Sequence, residues 1–227
     1  MLICAPSNSA ADLITERIVS ASEAFKNEIP TPGIDLTRIN SFRRVGEKIP
    51  LEVRPYCEDF LIKNEAAGVD ISNQLLQICQ AKMVVSTCAT SGALFRLNMP
   101  SQHFTHCIID EAGYASEPET WIPICAAGSA AKIILGGDPK QLGPVLTSKF
   151  ADQQGLGTSM IERIMTTIPN YCYNPHIYEA EGGYNPNFVT KLVMNYRSHK
   201  DLIHVPSKLF YNNALLACGE DTGLKLI

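Results

Sequence analysis

His106-Cys107-Ile108-Ile109-Asp110-Glu111-Ala112-Gly113 is the stretch that decides the fold. Its apolar run is too short for a helix and ends abruptly in two adjacent carboxylates and a glycine. This is how a buried parallel strand delivers acids to its carboxyl edge. Open parallel sheets bind ligands at that edge. Side chains alternate between faces along a strand, but the chain turns at a strand end, so Asp110 and Glu111 can face one crevice. One acid can hold a magnesium ion while the other orients or deprotonates a water, as hydrolysis of a nucleoside triphosphate requires. A polar turn capping a core strand would look the same in isolation, so the rest of the chain has to decide.

Upstream, Leu2-Ile3-Cys4-Ala5 reads as a buried strand stopped by Pro6. Ser7-Asn8-Ser9 follows, then a helical pattern with Leu13, Ile14, Ile18 and Val19 on one face. Ser9 with Asp12 forms a variant capping box. Such a strand-loop-helix offers hydroxyls and free backbone N–H groups suited to phosphate or sugar oxygens, although an ordinary capped turn has the same form. Residues 82–87 repeat the pattern with a strand that ends at Ser86 and Thr87. Downstream, Ser116-Glu117-Pro118-Glu119 starts a helix by the same capping logic, with Trp121, Ile122, Ile124 and Cys125 as its buried side. Residues 131–142 read as another strand running into Gly136-Gly137-Asp138-Pro139-Lys140-Gln141, where glycines let the backbone pass close to a ligand. Gln141 both donates and accepts hydrogen bonds, so it can hold a terminal phosphate and an attacking water together.

The chain has 227 residues, 45% of them hydrophobic, enough for a packed core, and a net charge of -4. Any nucleic-acid contact must therefore come from a local surface; Arg38, Arg43, Arg44 and Lys48 make the most basic one in the first half. The eight cysteines are scattered with no CxxC pair, which reads as reduced thiols serving as small buried hydrophobes. No apolar run reaches membrane-spanning length and no leader is apparent. Residues 28–80 are irregular and read as an insertion or small subdomain. Residues 170–187, rich in glycine, proline and tyrosine, read as a domain linker. Beyond them a strand ends in Tyr196-Arg197-Ser198-His199 and a helix follows. From there Arg197 could reach a γ-phosphate across a cleft and Tyr196 could stack on a base.

Strands separated by helices, each strand ending in polar residues, define a doubly wound α/β core. No G-x-x-x-x-G-K-[ST] loop occurs in the chain. The ordered set Ala5-Pro6-Ser7-Asn8-Ser9-Ala10-Ala11-Asp12, Asp110-Glu111-Ala112-Gly113, Gly137-Asp138-Pro139-Lys140-Gln141-Leu142-Gly143-Pro144 and Asn195-Tyr196-Arg197-Ser198-His199 resembles motifs Ia, II, III and IV of superfamily 1 helicases of the Up-frameshift-like branch. Within that branch it resembles the Armitage/Mov-ten RNA helicases of small-RNA silencing. The Asp-Glu-Ala-Gly box, Gly155-Leu156-Gly157-Thr158-Ser159 and Gly183-Tyr184-Asn185-Pro186 favour that subgroup.

The resemblance implies a RecA-like (P-loop NTPase) parallel sheet with flanking helices, incomplete at its N-terminal edge, plus the start of a second RecA-like domain. The first domain would occupy residues 1–169, with a short inserted subdomain at about 40–80; residues 170–189 would be a linker and 190–227 would open the second domain. It also implies ATP and Mg2+ as cofactors, with Asp110 holding the metal through water and Glu111 activating the hydrolytic water. Gln141, with Gly137 and Asp138, would sense the γ-phosphate; Arg197 would contact it; Tyr196 would stack near the adenine. Ser7, Asn8 and Thr87 would contact single-stranded RNA. Silencing proteins of the Argonaute/Piwi type and a cytoplasmic, granule-associated location follow from the same resemblance. The family's phosphate loop is expected upstream of Leu2 and its later motifs beyond Ile227, so the polypeptide by itself is expected not to hydrolyse ATP at a useful rate. A non-catalytic RNA-binding scaffold and a DNA-directed helicase are the alternatives these residues leave open.

Overall fold

The computed structural model describes residues 1–25, 35–41, 44, 48–60, 71–100 and 102–219. They fall into two compact units, Met1–Glu162 and Arg163–Ile227.

The first unit is built on a six-stranded sheet of β1 (Leu2–Ala5), β2 (Leu36–Ser41), β3 (Cys57–Phe60), β4 (Met83–Thr87), β5 (His106–Ile109) and β6 (Lys132–Leu135), in the order β3-β2-β4-β1-β5-β6. Every pairing is parallel, as expected of strands that read as continuous apolar runs. β1 lies in the middle and is buried along its whole length. Its side chains alternate: Ile3 and Ala5 join Ala11, Leu36 and Val85 in a core beneath α1 (Asn8–Phe25). On the other face Cys4 neighbours Cys107 and Cys88, the first residue of α3 (Cys88–Ser91), and α5 (Glu117–Ala127) packs on β5 and β1. α2 (Ile71–Gln80) leads into β4, α4 (Ala93–Arg96) follows α3, and α6 (Lys149–Gln153) and α7 (Met160–Thr167) follow β6.

Several local expectations need correction. Residues 57–60, within the segment expected to form an inserted subdomain, form β3, which pairs with β2 in this same sheet. The cap of α1 is Ser7, whose hydroxyl accepts from the Ala10 N–H at 3.1 Å, and not Ser9. Ser116 makes no side-chain cap, although the Glu119 carboxylate does accept from the Ser116 backbone N–H. Trp121 is 47% exposed; the buried residues of α5 are Thr120, Pro123 and Ala127, because the helix meets the sheet on that stripe. All eight cysteines are free, but Cys125 is exposed. Burial pushes the Cys88 and Cys107 thiols up to about 12, which keeps them neutral as small core groups.

The basic surface expected at Arg38 and Arg44 is instead a buried ion cluster. Arg38 is fully buried on β2, and its Nε donates to Asp12 Oδ1 at 3.2 Å. Arg44 donates to both Asp12 carboxylate oxygens and, at 2.8 Å, to Asn40 Oδ1. Desolvation pulls the Arg38 guanidinium down while the Asp12 charge opposes it, and the hydrogen bond to Asp12 holds Arg44 up. Asp12 thus carries the electrostatics of the cluster and takes no part in capping. Lys48 stays exposed, and Arg43 lies outside the described residues.

The second unit holds a parallel pair of β7 (Met194–Asn195) and β8 (Leu216–Ala217), connected through α8 (Lys200–Phe210). The segment 170–189, expected as a linker, is closed on itself by ring pairs Tyr171–Phe188 and Tyr173–Tyr184, at 5.1 and 5.4 Å. Gly183 has φ of 88° and lies against the Tyr173 ring, where a Cβ would stand only 2.1 Å from the nearest ring carbon. Among the described residues no helix is long and apolar enough to cross a membrane.

The ion cluster yields a stability test. Asp12→Ala leaves the Arg38 guanidinium buried without a carboxylate and is expected to lower unfolding stability by about 3–5 kcal/mol. Urea denaturation measures this, and a loss within the range of ordinary surface substitutions would contradict the buried pairing.

Candidate functional site

The strand order places a switch point at the centre of the sheet. β1 and β5 are neighbours, yet the connection after β1 runs toward β2 and the connection after β5 runs toward β6. The crevice outside the carboxyl ends at such a point is the usual ligand site of an open α/β sheet. Here it is a cleft of about 700 Å³ lined by the turns after β1, β5 and β6, including Ser7, Glu111, Tyr114, Lys140 and Gln141.

Backbone hydrogen bonds fix these turns to one another. The Asp110 N–H donates to the Cys4 carbonyl, Gly136 N–H to Ile109 and Ala112 N–H to Gly136, each at 2.8 Å. The turns then approach so closely that a Cβ on Gly113 would lie 2.8 Å from the Asp138 carbonyl oxygen. One on Gly137 would lie 2.9 Å from the amide nitrogens of Ala112 and Gly113. Both glycines are required by close approach of backbone to backbone. The same tight turn forces Glu111 to φ of 54°, a left-handed conformation that is uncommon for a residue with a side chain. Outliers of this kind cluster at functional sites. Asp110 and Glu111 are both exposed, and Glu111 lines the cleft.

In the turn after β6, Asp138 accepts from the Lys140 N–H at 2.9 Å and from Gln141 Nε2 at 3.1 Å. Its carboxylate therefore organises the loop and holds the Gln141 side chain. Gln141 keeps a second N–H on Nε2 and its Oε1 for a ligand.

The residues expected on the nucleic-acid side differ in what they can offer. Ser7 caps α1 and its hydroxyl also lies 3.1 Å from that of Ser9. Asn8 is exposed, while its Oδ1 accepts from Arg38 Nη2 at 3.1 Å. Thr87 is 6% exposed; its hydroxyl caps α3 and donates to Thr90 Oγ1 at 2.7 Å, leaving it little to give a ligand. Tyr196 and Arg197 belong to the second unit and are exposed there, in a turn where Asn195 Oδ1 accepts from the N–H groups of Arg197 and Ser198 at 3.0 and 2.8 Å. Tyr114 lines the cleft without having been singled out in the sequence, where nothing distinguishes it from an ordinary loop residue, and Leu142, quoted only as part of the stretch after β6, lines it too.

Among the described residues no group of three or more His, Cys, Asp or Glu is placed to hold a metal. A magnesium ion carried on one carboxylate, waters and substrate phosphates needs no such group, and the two exposed acids beside a backbone cradle suit that mode of binding.

The AAA domain family matches residues 70–149. The chain is 39% identical over 221 residues to the RNA helicase Mov10l1 of Mus musculus, covering 97% of this chain and 17% of the relative. It is 38% identical over 226 residues to the putative helicase MOV-10 of Gallus gallus, covering 96% and 21%. It is 33% identical over 229 residues to the probable RNA helicase armi of Drosophila melanogaster, covering 95% and 18%. The chain thus spans about a fifth of the length of these relatives.

The strained carboxylate gives a stability test separate from activity. Glu111→Gly removes the side chain from a left-handed position and is expected to leave unfolding stability unchanged or to raise it by about 1 kcal/mol. Gly137→Ala is expected to lower it by about 1–3 kcal/mol through forced contact with the facing turn. Urea unfolding of both variants checks the pair, and a reversal of the two signs would contradict the geometry.

Proposed function

We propose that the chain forms part of an RNA helicase of the Up-frameshift-like superfamily 1 group, one that couples ATP hydrolysis to translocation on single-stranded RNA and remodelling of RNA-protein complexes. The observation that carries the reading is the cleft that gathers Ser7, Glu111 and Gln141 at one switch point of a parallel sheet.

In this reading ATP binds along the turns after β5 and β6, and Asp110 holds Mg2+ through water. When bound there, Mg2+ supplies charge neutralisation at the phosphate oxygens. The Glu111 carboxylate accepts the proton of the attacking water, and its outlying backbone conformation aims it away from the strand and into the cleft. Gln141, steadied by Asp138, uses its remaining N–H and its Oε1 to register the terminal phosphate. Because Ser7 lines the same cleft, a change at the phosphate end is felt at the turn that meets RNA. Gly137 serves by letting the two turns touch, and Asp138 by holding Gln141. Thr87 acts from below, by fixing the loop after β4.

Two RecA-like domains, residues 1–169 and from 190 onward with 170–189 between them, complete the proposal. By the same resemblance, Arg197 would contact the γ-phosphate and Tyr196 would stack near the adenine. The resemblance to Armitage/Mov-ten helicases supports a role in small-RNA silencing, with Argonaute/Piwi-type partners in cytoplasmic granules.

The test is phosphate release by the full-length protein with matched single-stranded RNA and DNA. Stimulation by RNA is the expected result. Equal stimulation by DNA would move the protein to the DNA-directed class, and RNA binding without turnover would make it a scaffold.

A further inference from the structure

Asn8 sits at the first turn of α1 with one side of its amide engaged and the other turned to solvent. Its Oδ1 accepts from the Arg38 guanidinium at 3.1 Å, although the residue as a whole is exposed. An amide whose oxygen is clamped by a cation presents its NH2 group outward, as a donor. The assignment is set by the partner: a guanidinium has no acceptor, so the atom facing it must be the oxygen. On the outward side Asn8 lines a groove of about 790 Å³ together with Ser9, Ser41, Arg44 and Lys48, and with the carboxylates of Asp12, which Arg44 neutralises, and Glu16.

Arg38 could not hold Asn8 if it were itself mobile, and it is not. It is fully buried; its Nε is tied to Asp12 and its Nη1 donates to the backbone carbonyl of Ile39. Asp12 stands on the same helix as Asn8, one turn further along, and is gripped a second time by Arg44. One planar guanidinium therefore fixes two residues of the same helix against β2.

We propose that Arg38 is a positioning residue for RNA: buried beneath the first turn of α1, it sets the Asn8 amide with its NH2 toward the groove, where it donates to a backbone phosphate oxygen. This rests on the RNA-helicase reading above and adds to it a residue that never touches the nucleic acid. A lysine in its place would carry the charge but lack the fork that reaches Asp12 and Asn8 together.

The experiment is a double-mutant cycle on single-stranded RNA affinity, measured in the full-length protein by fluorescence anisotropy with a labelled oligonucleotide, alongside thermal melts. Arg38→Lys is expected to weaken RNA binding about tenfold in the wild-type background and to have no further effect in an Asn8→Ala background. Equal weakening in both backgrounds would overturn the proposal, since a merely structural arginine acts whether or not Asn8 is present. Asn8→Asp supplies a second arm that leaves the buried cluster alone. A carboxylate keeps the Arg38 partner but loses the outward donor, so the variant is expected to melt no lower than wild type while losing RNA affinity by about tenfold or more. Wild-type RNA affinity in Asn8→Asp would overturn the proposal even if Arg38→Lys did not fold. Failure of the unaltered protein to bind RNA would bring down the helicase reading itself, a result distinct from either of these.

Discussion

Contact between the turns after β5 and β6, with no side chain between them, is the constraint on which the site depends. Gly113 lies against Asp138 and Gly137 against Ala112 and Gly113, at distances no Cβ would allow. That contact is possible only because β5 and β6 are parallel neighbours in register, ending together at Ile109 and Leu135. From it follow the outlying backbone of Glu111 and the position of the loop in which Asp138 steadies Gln141. The Glu111 carboxylate and the Gln141 amide, on turns after separate strands, are thereby held as one piece before any ligand adds its own contacts.

A second anchor lies on the other side of β1. The sheet's middle strand passes at once into α1, and the Asp12–Arg38–Arg44 cluster ties the first turns of that helix to β2 and the loop beyond it. Burying charge is unfavourable unless it is paired, so such a cluster does not slide as an apolar contact can. It places Ser7 and Asn8 at the rim, between the cleft on the β5 side and the groove on the β2 side. The fold thus uses backbone contact to hold the turns after β5 and β6 and buried electrostatics to hold the rim.

Much of this was legible from residue order because it lies in short-range patterns. Apolar runs that end in Ala5-Pro6, Thr87, Asp110-Glu111 and Gly136-Gly137 announce parallel strands and their carboxyl edges, and the paired glycines announce close approach. What stayed hidden depends on partners distant in sequence. Arg38 looks like surface because arginine usually is; only the arrival of Asp12 from 26 positions away makes its burial tolerable. Asp12 resembles a capping acid until the cap proves to be Ser7, two residues too early for it to serve. Trp121 looks like core by type, yet its face of α5 points away from the sheet. Residues 170–189 carry linker composition, and their closure comes from ring pairs that no local pattern signals.

Glu111 as the group that handles the proton of the attacking water is the centre of the proposed function. It is tested most directly by measuring ATP binding and RNA-stimulated phosphate release side by side in full-length protein carrying Glu111→Gln. The variant is expected to bind Mg2+-ATP and RNA as wild type does, while phosphate release falls by about a hundredfold or more. Phosphate release at the wild-type rate would contradict it and remove Glu111 from the chemistry.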